Sequence, residues 1–150
     1  MSCSILRYRQ TMQASLVPEL ICSNFERSLI FYTKVLGFSL RYTRQEERFA
    51  YLERDGAELM IEQPRSQERL FPRAALAHPY GRGIHLQILV TDVVALHQSV
   101  EASGTELFLP LERRWYRRQH DSLEVLQFAI QDPDGYLLRF SQMMATAPHF

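Results

Sequence analysis

The apolar and polar positions of the chain fall into short blocks with two periods. Leu16 to Ile21 is largely apolar and reads as a strand. It runs into Ser23-Asn24-Phe25-Glu26, where Ser23 three residues ahead of Glu26 has the form of a capping box and predicts a helix start. Phe25, Leu29, Tyr32 and Leu36 then recur at helical spacing as one apolar stripe, so the helix runs to about Leu36, with Gly37 as its stop. Beyond the glycine the period shortens to two. Phe38 to Tyr42 alternates, Phe49 to Leu52 and Glu58 to Glu62 are strand-like, and Asp55-Gly56 is the turn between the last two.

The same order returns. An offset of 68 lays Val17 over His85 and Asn24 over Asp92. Ile84 to Val90 is the second opening strand, Thr91-Asp92 offers an N-cap, and Val93, Leu96 and Val100 form a stripe that ends before Gly104. Strands follow over Thr105 to Leu109, Leu123 to Ile130 and Tyr136 to Ser141, with Asp132-Pro133-Asp134-Gly135 as the last turn. The second unit has about a dozen extra residues near Glu112 to Asp121, which carry Trp115 and Tyr116 among four arginines and are expected to form a loop. Proline and glycine between Pro64 and Gly83 mark a linker, with room for a short helix around Leu76, and the tail from Ala145 is expected to be loose. The expectation is one α+β domain over 1–150: module one at about 14–63, a linker at about 64–83 and module two at about 84–143.

Composition narrows the function. The chain of 150 residues is 46% hydrophobic and 23% charged, with Lys+Arg 17 against Asp+Glu 17 and a pI near 7.0. A chain without net charge has no overall field for phosphates or an anionic bilayer, so neither nucleic acid nor a membrane is an expected partner. Nothing approaches the ~20 apolar residues that span a bilayer, and Met1 to Gln10 lacks the apolar run of a signal peptide. Cys3 and Cys22 form neither a disulfide framework nor a zinc spacing, which fits a reduced, cytoplasmic compartment. Lys34 is the single lysine, so the cationic chemistry belongs to arginine, with its planar, bidentate contacts.

Two strand-helix-three-strand units, Ser28-Leu29-Ile30-Phe31-Tyr32 leading into Leu36-Gly37-Phe38, and Asp132-Pro133-Asp134-Gly135-Tyr136-Leu137-Leu138-Arg139-Phe140 together resemble the vicinal oxygen chelate superfamily, which includes glyoxalase I, extradiol dioxygenases, fosfomycin-modifying enzymes and bleomycin resistance proteins. The resemblance covers roughly Leu16 to Gln142. It implies two βαβββ modules whose curved mixed sheets surround a cup, usually completed across a homodimer, with metal ligands at matching strand positions in the enzymes. Those positions fall here on Val17, His85, Arg139 and either Met60 or Glu62. Valine and arginine cannot donate to a cation, since guanidinium stays protonated and offers only N–H groups. A catalytic metal needs about three protein ligands. The resemblance therefore implies no metal, no cofactor and no catalytic residues. It is nearest to the bleomycin resistance branch, which also has an Arg in its final Leu-Leu-Arg strand.

Strand parity puts Glu19, Met60 and Glu62 on cup-facing positions of the first module and His85 and Gln87 on those of the second, with Arg139 expected to join them. Phe49 and Tyr51 share a strand face and either line the cup or pack as plain core. Trp115 and Tyr116 are placed over the site as a cover or an interface, or merely pack over the sheet edge. Arg139 has a structural alternative too, an ion pair with Glu62 or Glu19, and His85 has the alternative of an ordinary hydrogen-bonded strand histidine. Cys22 reads as an inert packed thiol. The expected ligand-binding set is thus Glu19, Phe49, Tyr51, Met60, Glu62, His85, Trp115, Tyr116 and Arg139. The function expected is a metal-independent, homodimeric protein that sequesters an antibiotic-like small molecule. Bleomycin itself is cationic and suits a neutral chain with a basic loop poorly, so another ligand stays open. The alternative is a metal-dependent glyoxalase or dioxygenase-type enzyme with His85, Glu62 and Glu19 as an off-pattern ligand set.

Overall fold

The computed structural model describes residues 14–65 and 76–148. Strand β1 (Glu19–Ile21) leads into helix α1 (Phe25–Ile30), whose last turn widens into a π-helical turn over Phe31–Val35. Strands β2 (Ser39–Arg44), β3 (Phe49–Arg54) and β4 (Ala57–Glu62) complete the first module. The second comprises β5 (His85–Leu89), α2 (Val93–Ala102), β6 (Leu107–Arg117), β7 (Ser122–Gln131) and β8 (Leu137–Ala147). Each module is a four-stranded mixed sheet, ordered β1-β4-β3-β2 and β5-β8-β7-β6, with one parallel pair at the opening strand. This is the α+β, twice-βαβββ architecture expected from the repeat.

The helix starts use short polar caps, though not the one the capping box suggested. Asn24, in extended conformation, accepts the Arg27 amide at 2.9 Å, and its counterpart Asp92 accepts that of Ala95 at 2.9 Å. Ser23 is unavailable as a cap because its amide and hydroxyl are both taken by Asp134 of the other module. The Thr91 amide, at Ser23's repeat position, likewise reaches Asp55 at 3.2 Å. The turn aspartate ahead of Gly56 or Gly135 in one module thus holds the strand-to-helix corner of the other, twice over.

One cluster of buried side chains runs through both modules. It joins Leu20, Leu52, Leu59 and Ile61 of the first sheet, Phe25, Tyr32, Leu36, Val93, Leu96 and Val100 of the helices, and Ile88, Phe128, Ile130, Leu138 and Phe140 of the second sheet. At its centre the fully buried Tyr32 hydroxyl donates to Asp132 at 2.8 Å. Asp132 also accepts the amides of Asp134 and Tyr136, each at 2.9 Å, which shapes the Asp132-Pro133-Asp134-Gly135 turn.

Two expectations are corrected. The residues from Glu112 onward do not form a loop: β6 continues to Arg117 against β7, and only a tight turn pinned by the Arg118–Asp121 ion pair remains. The tail is not loose from Ala145, because Ala145, Thr146 and Ala147 pair with Glu124, Leu123 and Ser122. Both follow from pairing, since a longer hairpin gives β8 a longer neighbour. Leu76 and Ala77 are not helical, and residues 66–75 lie outside the described residues, as do Cys3, Met1 to Gln10 and Pro72.

Candidate functional site

Alternation gives each sheet one face on the shared core and one face turned away from it. On the first sheet the outward face is built of two rows. Tyr42, Tyr51, Met60 and Glu19 are cross-strand neighbours in one, and Arg44, Phe49, Glu62 and Ile21 in the next. Strand pairing thus brings the expected Glu19, Phe49, Tyr51, Met60 and Glu62 to one face. Phe49 and Tyr51 are nevertheless buried. Tyr42 stacks on Tyr51 with ring centroids 5.2 Å apart, the Arg44 guanidinium lies 3.9 Å from the Phe49 ring centre, and the Tyr51 hydroxyl donates to Glu58. What stays accessible is Glu19, with Met60 and Glu62 half-buried.

Glu19 and Glu62 form an acid pair. Burial, and then the hydrogen bond and charge of Glu19, push the Glu62 carboxyl above its ordinary value, with the Arg44 cation pulling the other way. The Glu62 carboxyl therefore holds its proton more readily than a free glutamate does.

The second sheet carries three outward rows: His85 and Leu137; Gln87, Arg139, Ala129 and Leu109; and Leu89, Ser141, Gln127 and Glu112. Arg139 occupies the middle of the sheet. One guanidinium nitrogen donates to Gln87 Oε1 at 2.6 Å, while its Nε is buried without an acceptor. It forms no ion pair with any described residue, so the pairing with Glu62 or Glu19 entertained from sequence is absent; those acids lie on the other sheet and bond to each other. Beside it the buried Gln127 amide donates to Glu112 at 2.9 Å and to the Tyr116 hydroxyl at 2.6 Å.

Trp115 and Tyr116 are separated by the strand that replaced the expected loop. Tyr116 shares the outward face with Gln127. Trp115 is paired with Glu124, on the reverse face with Arg113 and Leu126, so the two rings do not close over the Arg139 face together. Gln127 and Glu112 escaped sequence reasoning. Their signal was available in the β7 alternation, where Val125, Gln127 and Ala129 interrupt an apolar run with one amide and one small side chain.

The donors for a divalent ion are not assembled. Among the described residues no three His, Cys, Asp or Glu side chains come together in a metal-holding group. His85 is on one sheet, Glu19 and Glu62 are on the other, and a cation would meet the Arg139 guanidinium on the final strand. The described residues of one chain therefore do not by themselves assemble the three ligands that a catalytic metal needs. Cys22 offers no nucleophile either, since burial and then the Asp134 charge push its thiol up to about 12. No helix among the described residues is long and apolar enough to cross a membrane.

Comparison with known proteins supplies a context for this geometry. The model of the Glyoxalase/Bleomycin resistance protein/Dioxygenase superfamily matches residues 13–140. A superfamily member from Vibrio splendidus is 36% identical over 85% of this chain and 97% of its own, with a TM-score of 0.40. A protein of unknown function from Agrobacterium tumefaciens is 27% identical over 90% of this chain and 99% of its own, TM-score 0.64. TioX from a Micromonospora species is 20% identical over 88% of this chain and 100% of its own, TM-score 0.66, and shares the fold. No curated protein matches the chain.

Proposed function

Because the chain belongs to the glyoxalase/bleomycin resistance protein/dioxygenase superfamily, we propose that it is a metal-independent small-molecule-binding protein of the bleomycin-resistance kind. It acts by sequestering an antibiotic-like ligand rather than by transforming it. One observation carries the reading: Arg139, a group that repels cations, holds the middle of the second sheet's outward face with donors to spare, where a metal enzyme of this family would need an oxygen ligand. A face of unpaired guanidinium, amides, a phenol and an imidazole bounded by apolar side chains suits a polar organic guest.

Leu89 and Met143, 50% and 58% exposed on that same outward face, support a homodimer in which a second copy borders the ligand site. The alternative, a metal-dependent lyase or dioxygenase, draws on the Glu19–Glu62 pair and would need His85 to reach it from a second copy. Metal analysis of protein purified without chelator, followed by a thermal-shift ligand screen with and without divalent ions, separates the two. Metal-free protein that is stabilised by a selective ligand supports binding. One tightly held divalent ion per chain would replace it with the enzyme reading.

A further inference from the structure

We propose that Arg139 and Gln87 form an anion subsite that takes the carboxylate of a small organic acid. This rests on the ligand-binding reading above and adds the charge class of the ligand. Guanidinium carries five N–H donors in a rigid plane. Arg139 gives one to a neutral amide oxygen, its Nε is screened from water without an acceptor, and no ion pair with a described residue neutralises it. Its terminal nitrogens lie in an exposed setting, where a carboxylate can meet the guanidinium edge.

The neighbours are arranged for such a guest. Arg139 lies between β5 and β7, so Gln87 stands on one side and Ala129 on the other. Ala129, buried at 4% exposure, contributes only a methyl group and so brings no polar atom to compete for the guanidinium. Because Gln87 Oε1 is committed to Arg139, its amide nitrogen is left as a further donor. Glu112, a carboxylate on the same face, is engaged by the Gln127 amide instead. His85, at the exposed end of the face, adds an imidazole N–H as a further donor. One planar fork flanked by neutral groups matches a monocarboxylate, whereas a phosphate dianion calls for a second fixed cation. The exposed Leu89 offers an apolar contact for the body of the acid.

The test uses full-length protein and two matched pairs, benzoate with benzamide and hexanoate with hexanamide, titrated by calorimetry. Benzylamine serves as the cationic control. At least one acid is expected to bind no less than tenfold more tightly than its amide, with affinity falling as salt rises. Arg139→Gln is expected to weaken that acid roughly ten- to a hundredfold, the range of a charged hydrogen bond. Gln87→Ala, at an exposed position, is expected to weaken it several-fold, and with the salt dependence it carries the test should the arginine variant fail to fold. Equal binding of acid and amide, or unchanged affinity in the variants, overturns the subsite. Binding of amides or benzylamine alone, or no binding of any probe, overturns the subsite, while the binding reading stands or falls with the thermal-shift screen.

Discussion

Replacing Tyr32 with phenylalanine removes one oxygen from the centre of the molecule and nothing else. The ring stays where it is, edge-on to Phe31 and Phe38 with centroids 5.7 Å from each. What is lost is a 2.8 Å hydrogen bond to a carboxylate that is 5% exposed, and the space left is too small to admit a replacement water readily. Asp132 keeps its two backbone donors on the other oxygen. A hydrogen bond to a buried charge is worth roughly 1.5–3 kcal/mol, and that is the expected loss at neutral pH. Its pH dependence gives a second handle. Burial raises the Asp132 carboxyl above its ordinary 3.8, against the hydrogen bonds of Tyr136, Tyr32 and Asp134. Such a group holds its proton longer in the folded chain, so its contribution to stability falls as pH rises from 3.8 through the native value. Without the Tyr32 hydroxyl that native value rises further. The penalty is therefore complete at neutral pH and shrinks in acid, where Asp132 is protonated in wild type and variant alike. Urea unfolding followed by circular dichroism at pH 7 and pH 4 measures both numbers. A loss under about 0.5 kcal/mol at pH 7, or an equal loss at the two pH values, would refute the reasoning.

Gly135 and Gly104 both have positive φ, +90° and +76°, but differ in surroundings. A Cβ on Gly135 overlaps Pro79 whereas one on Gly104 meets nothing, so Gly135→Ala is expected to cost more than about 2 kcal/mol and Gly104→Ala about 1 kcal/mol in denaturant unfolding. Glu62→Gln removes a carboxyl held above its ordinary 4.5 by burial and Glu19. That carboxyl lowers wild-type stability as pH climbs from 4.5 through its native value, so the variant should match or exceed wild type at pH 7 and lose this part of the pH dependence, read from urea midpoints at pH 5 and pH 7. In a Cys3→Ser background, Cys22 is expected to resist Ellman's reagent at pH 8 until urea unfolds the chain, because only the thiolate reacts; rapid native labelling would contradict its burial.

Both helices, the turns at Gly56 and Gly135 and the twofold βαβββ order are legible in the chain, because each rests on local chemistry. Glycine frees a backbone, a short polar side chain caps a helix, and a stripe at period 3.6 or 2 declares its element. Alternation also grouped Glu19, Met60 and Glu62 on one set of strand faces and His85 and Gln87 on another. The choice of Asn24 over Ser23 as cap was beyond it, since a partner 111 residues away, Asp134, decides that competition. The hairpin running to Arg117 was equally hidden, because polar residues strand-paired to a neighbour look in sequence like polar residues in a loop. Whether Arg139 finds a carboxylate depended on the distance between two sheets, a quantity that no local pattern encodes.

What the residues determine unaided is which elements form and which way their side chains alternate, for those preferences act over a few bonds. Tertiary structure alone decided that Glu62 meets Glu19 while Arg139 meets Gln87. Charge pairing depends on approach within a few ångströms, and strand register and packing, not spacing along the chain, set that approach.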